Sequence, residues 1–88
     1  MSRPHRPSPA SLTSDWPNVA SSDPAAEKAR LFAVSLGQAL QGHSVRSVAA
    51  AADIDEATIR RVLAGSAWPD LRTIAMLETA LGQPLYPH

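Results

Sequence analysis

The stretch VRSVAAAADIDEATIRRVLA, Val45 to Ala64, admits few folds. Its apolar residues recur at helical steps, Val48 with Ala52 and then Ile59 with Val62 and Leu63, in two short runs separated by a few residues. Two helices joined by so short a turn cross steeply and need a small residue where they nearly touch. Ala49 stands there, and Val48, Ala52, Ile54, Ile59 and Val62 close the wedge. The turn calls for a positive φ, ordinarily a glycine; here it falls to Asp53, a residue type that tolerates the left-handed region.

The flanking sequence reads the same way. Ser44 is placed to cap the first of these helices, and the second starts at Asp55, with Ile54 and Ile59 at hydrophobic-staple spacing and Gly65 as its stop. Upstream, Ser22 or Asp23 caps a helix with Pro24 in its opening turn and Phe32, Leu36 and Leu40 on one face, ended by Gly42. Downstream, Pro69 and Asp70 introduce a helix whose Leu71, Ile74, Leu77 and Leu81 are expected to face inward until Gly82. Of the chain, 44% is hydrophobic, yet much of that is alanine and only four residues are aromatic, which favours close-packed helices over a sheet sandwich. The expected fold is all-α, a compact bundle of about four short helices over residues 24–88.

Residues 1–23 are expected to form a flexible arm. They hold Pro4, Pro7, Pro9 and Pro17 among many serines and lack apolar periodicity. Pro17 disfavours helix at Trp16, leaving docking of that indole onto the domain as the alternative.

Several classes of function are set aside. With no cysteine and with His5, His43 and His88 scattered, no metal or other cofactor is expected. No apolar stretch approaches the roughly 18 residues of a membrane span, so a soluble cytoplasmic protein is the expectation. The glycines at 37, 42, 65 and 82 are isolated and form no phosphate-cradling loop; neither an enzyme nor a small-molecule site is expected.

The run VAAAADIDEATIRRVLAG from Val48 to Gly65, the loop with Pro69 and the segment LRTIAMLETALGQPL together resemble the phage repressor and Cro type of helix-turn-helix domain, over roughly Leu31 to Leu85. The resemblance implies a second motif helix lying in the major groove of double-stranded DNA, with Glu56, Ala57, Arg60, Arg61 and Ala64 toward the DNA. Many relatives carry a glutamine near the start of the motif, where this chain has Val45. Arg46 is placed to reach the DNA backbone, with Ser44 and Ser47 as neutral donors. Arg61 has the better geometry for base edges. Glu56 reads either as an acceptor for cytosine N4 or as a first-turn acid against the helix dipole. Trp68 reads as a packing residue under the fourth helix, with an exposed loop contact as the alternative, and Arg3, His5 and Arg6 read either as a basic minor-groove arm or as an inert terminus.

Formal net charge is zero, an argument against nucleic acid that a local cluster of Arg46, Arg60 and Arg61 would answer. The leading expectation is a sequence-specific DNA-binding transcription regulator, a small repressor of phage or plasmid type. The rival is a protein-interaction module on the same fold, antitoxin-like or an adaptor. A homodimer is left open.

Overall fold

The structure is a computed structural model and describes residues 7–87. Four α-helices follow one another: α1 Pro24–Ala39, α2 Val45–Ala52, α3 Glu56–Ala64 and α4 Leu71–Leu81. Each starts at a side chain that satisfies an otherwise orphaned amide of its first turn. The Asp23 carboxylate accepts from the amide of Ala26 at 2.8 Å, the Ser44 hydroxyl from Ser47 at 3.0 Å, the Asp55 carboxylate from Ala57 at 3.1 Å and the Asp70 carboxylate from Thr73 at 2.7 Å. The bonds donated by Thr73 hold the Asp70 carboxyl below its ordinary pKa.

The last three helices close alike, on a left-handed residue followed by an amide that bonds back five positions. Ile54 N donates to Ala49 O at 3.1 Å, Ser66 N to Arg61 O at 3.0 Å and Gln83 N to Glu78 O at 3.2 Å. Gly65 and Gly82 take the left-handed positions of α3 and α4; at α2 it is Asp53, with φ 56° and ψ 47°, as the turn of the motif demands. Regular α1 ends at Ala39, short of Gly42, whose φ of 84° lies in the turn toward α2.

Phe32, Leu36 and Leu40, Val48, Ala49 and Ala52, Ile59 and Val62, and Ile74, Leu77 and Leu85 form one buried cluster, with Ile54, Leu63 and Leu81 half-buried against it. α2 packs on both α3 and α4, and α1 on α3. Ala49, buried on α2, leaves no room for branching, so Ala49→Leu should lower stability by about 1 to 3 kcal/mol through overpacking. An unchanged urea midpoint would remove Ala49 from the helix contact.

One expectation differs from the structure. Leu71 does not face inward; it is 84% exposed, and Thr73 is buried instead. At about 100° per residue the α4 stripe centres between Ile74 and Leu77, and Leu71, the first residue, falls about 90° from that centre, at the stripe's edge.

Of the stretch read as a flexible arm, with docking of Trp16 as the alternative, the structure describes residues 7–23. Residues 7–23 lie against the bundle: Pro9 is buried within a 3-10 turn, Pro9–Leu12, that packs on α1. Ala10 N donates to Gly65 O at 2.9 Å, Trp16 Nε1 to Leu63 O at 3.0 Å, and Trp68 Nε1 to Pro7 O at 2.9 Å. Trp68 is thus half-buried, a bridge between the segment and the hollow beside Phe32 and Ile74 rather than a residue fully under α4.

Arg30 Nη1 donates to Pro17 O at 3.1 Å while pairing with Glu27 at 2.5 Å, and Glu27 also accepts from Ser21 N at 2.8 Å. The Arg30 hydrogen bond, then that of Ser21, hold the Glu27 carboxyl down at a pKa of about 2. Beyond its 3-10 turn the segment has no regular secondary structure, and its indole and backbone groups find partners across the fold instead. Arg3, His5 and Arg6 lie outside the described residues.

Candidate nucleic-acid interface

The fold turns α3 so that Ile59 and Val62 enter the core. Counting about 100° per residue, Glu56, Arg60, Ala64, Ala57 and Arg61 share an arc of about 140° centred opposite that buried pair. Arg60, Arg61 and Ala64 are exposed; Glu56 and Ala57 are half-buried. All five positions implied by the resemblance therefore share one outward face of α3.

The two arginines stand in different states. Arg60 Nη2 lies 2.5 Å from Glu56 Oε2, an exposed ion pair at i,i+4. Such pairs are worth well under about 1 kcal/mol, so the contact biases Arg60 without immobilising it. Arg61 makes no ion pair among the described residues. Glu56 thus neutralises one of the two guanidinium groups on this face. Its spacing from Arg60 was legible in the sequence as an i,i+4 pair and was missed.

Ser44 and Arg46 sit where α2 begins, on the helix packed against α3. The Ser44 hydroxyl oxygen is used as the cap, which leaves its proton for an outside acceptor, and Arg46 is exposed without an ion pair among the described residues. Ser47 Oγ donates to Ser44 O at 3.0 Å, so its proton is directed to the backbone rather than outward. The structure therefore brings Glu56 and Arg60 into contact, sets Ala57, Arg61 and Ala64 beside them on α3, and keeps Ser44 and Arg46 on the neighbouring helix.

Sequence reasoning also missed what holds the far end of α3. Leu63 O and Gly65 O both accept from the N-terminal segment, and the Trp16 ring covers Gly65. The only local signal was an indole among prolines. The described residues contain no group of three or more metal-ligating side chains, and none of their helices is long and apolar enough to cross a membrane.

A family model described as Helix-turn-helix matches residues 38–86, more than half of the chain. No curated protein and no solved structure matches it. The matched region holds α2, the Asp53 turn, α3 and α4, the elements that build and support the outward face of α3. On the matched sequence and the geometry of the Asp53 turn, this chain belongs to the phage repressor and Cro type of the helix-turn-helix family and is a DNA-binding regulator.

Proposed function

We propose that the protein is a sequence-specific transcription regulator of the cytoplasm, a small repressor of phage or plasmid type, that inserts α3 into the major groove of DNA. The observation that carries this reading is the outward face of α3, where Arg61 stands exposed and without an ion pair among the described residues, with Arg46 on the adjoining helix. Arg61 donates to base edges and Arg46 to phosphate. Arg60 must first part from Glu56, and so contributes less. Ser44 adds a hydroxyl donor to the backbone, and Ala57 and Ala64 allow close approach to the groove wall. Two copies on one duplex would read half-sites about one helical turn apart.

Selection of duplexes from a random pool tests this directly. A symmetric enriched site also identifies a dimer. Against that site, Arg61→Ala should weaken binding by roughly 1 to 3 kcal/mol and relax preference at one position, while Arg46→Ala should weaken all sequences alike and lower the salt slope by about one. The neutral net charge and the Glu56–Arg60 pair favour a second reading, a protein-partner module. That reading prevails if both variants bind duplexes as the parent does, with an unaltered salt slope.

A further inference from the structure

We infer that Trp16 is a positioning residue for DNA recognition: through it, the segment ahead of α1 latches the end of α3 and sets the platform from which Arg61 and Ala64 project. The inference rests on the DNA-binding reading of α3 and adds a determinant outside the family-matched residues, which begin at residue 38.

A helix leaves the carbonyls of its last turn without intrahelical partners. In α3 the first of these are satisfied locally, Arg61 O by Ser66 N at 3.0 Å and Val62 O by Gly65 N at 3.1 Å. The next is not. Leu63 O receives the Trp16 indole N–H at 3.0 Å, from 47 positions away, and beyond the helix Gly65 O receives the amide of Ala10 at 2.9 Å. The ring itself lies so close over Gly65 that a Cβ built there would stand 2.5 Å from Cε2. Trp16 therefore supplies both a hydrogen bond and a flat wall to the turn that carries Arg61 and Ala64.

The segment is in turn anchored on either side of Trp16 by residues outside α3, one in the loop that follows it and one on α1. Trp68 Nε1 holds Pro7 O, and Arg30, itself fixed by Glu27, holds Pro17 O. With both ends fastened, Trp16 is not a side chain that follows α3 passively. If the last turn frays, Arg61 and Ala64 lose their fixed direction, whereas Arg46 on α2 keeps its phosphate contact. Loss of the latch should accordingly reduce discrimination between sequences more than it reduces general attraction to DNA.

Trp16→Phe tests this, because it keeps an aromatic wall and deletes only the N–H; Trp16→Ala serves as the harsher comparison. In the free full-length protein, Trp16→Phe should speed amide exchange at Ala64, Gly65 and Ser66 about tenfold, the factor one ordinary hydrogen bond allows, with the α2 amides unaffected. Against the selected duplex, affinity should fall about fivefold, with binding to unrelated duplexes and the salt slope unchanged. Unchanged exchange at those amides overturns the latch. Faster exchange with unaltered specific affinity overturns the positioning role and leaves a structural one, and so does an equal loss on specific and unrelated duplexes. Should the parent protein itself select no duplex, the DNA reading fails first, and the positioning role falls with it.

Discussion

Gly65→Ala should destabilise the protein by about 2 to 5 kcal/mol, whereas Gly82→Ala, at the equivalent position of α4, should cost only about 1 to 2 kcal/mol. Both glycines end a helix with positive φ, 73° and 68°, so both substitutions bear the left-handed penalty. They differ in what a methyl group meets. At Gly82 nothing lies within 4 Å; at Gly65 the new carbon would stand 2.5 and 2.7 Å from Trp16 ring atoms and 2.8 Å from the Ala10 Cβ. The indole cannot swing aside cheaply, because its N–H is bonded to Leu63 O. Urea unfolding of the two variants checks the difference, and equal losses would show that Trp16 does not press on α3. In a Trp16→Ala background the excess cost of Gly65→Ala should largely vanish, the coupling a double-mutant cycle measures.

Phe32→Ala should cost about 3 to 5 kcal/mol. Phe32 is fully buried in the middle of α1, and the ring anchors the cluster that includes Leu36, Ile59 and Leu77. Small domains are stable by only about 5 to 15 kcal/mol, and an 88-residue chain lies toward the low end. The variant should therefore be substantially unfolded by body temperature and bind DNA poorly for that reason alone. Helical circular dichroism followed against temperature decides the matter. A loss below about 1 kcal/mol would mean that α1, most of which precedes the family-matched residues, is an accessory rather than part of the core.

What was legible in the sequence was what acts over short separations. The caps at Asp23, Ser44, Asp55 and Asp70 involve partners two or three residues away, and Asp53 shows its left-handed turn because few other side chains tolerate it. The outward positions of α3 came from the family resemblance, and the period of Ile59 and Val62 agrees with them. Leu71 misled because an apolar residue at the edge of a stripe counts as a match in the pattern while pointing away from the core. The contacts of residues 7–23 were not legible for a different reason. Their composition describes a chain that cannot fold by itself, and the partners that order it lie around Leu63, Gly65 and Trp68. The Glu56–Arg60 pair was within reach of the sequence, but no pattern of letters decides whether a guanidinium turns to its neighbour or to solvent.

The latch also imposes an order on biosynthesis. Residues 7–17 leave the ribosome well before the groups that receive them, since Leu63 O, Gly65 O and the Trp68 indole are made some fifty residues later. α2 and α3 are neighbours along the chain and can pair early, whereas the return of the N-terminal segment must close nearly the whole length of the domain. A nascent chain can thus carry a formed helix-turn-helix whose reading helix is still loose at its far end. Fixed direction for Arg61 and Ala64 arrives last, when the segment around Trp16 comes back to meet them.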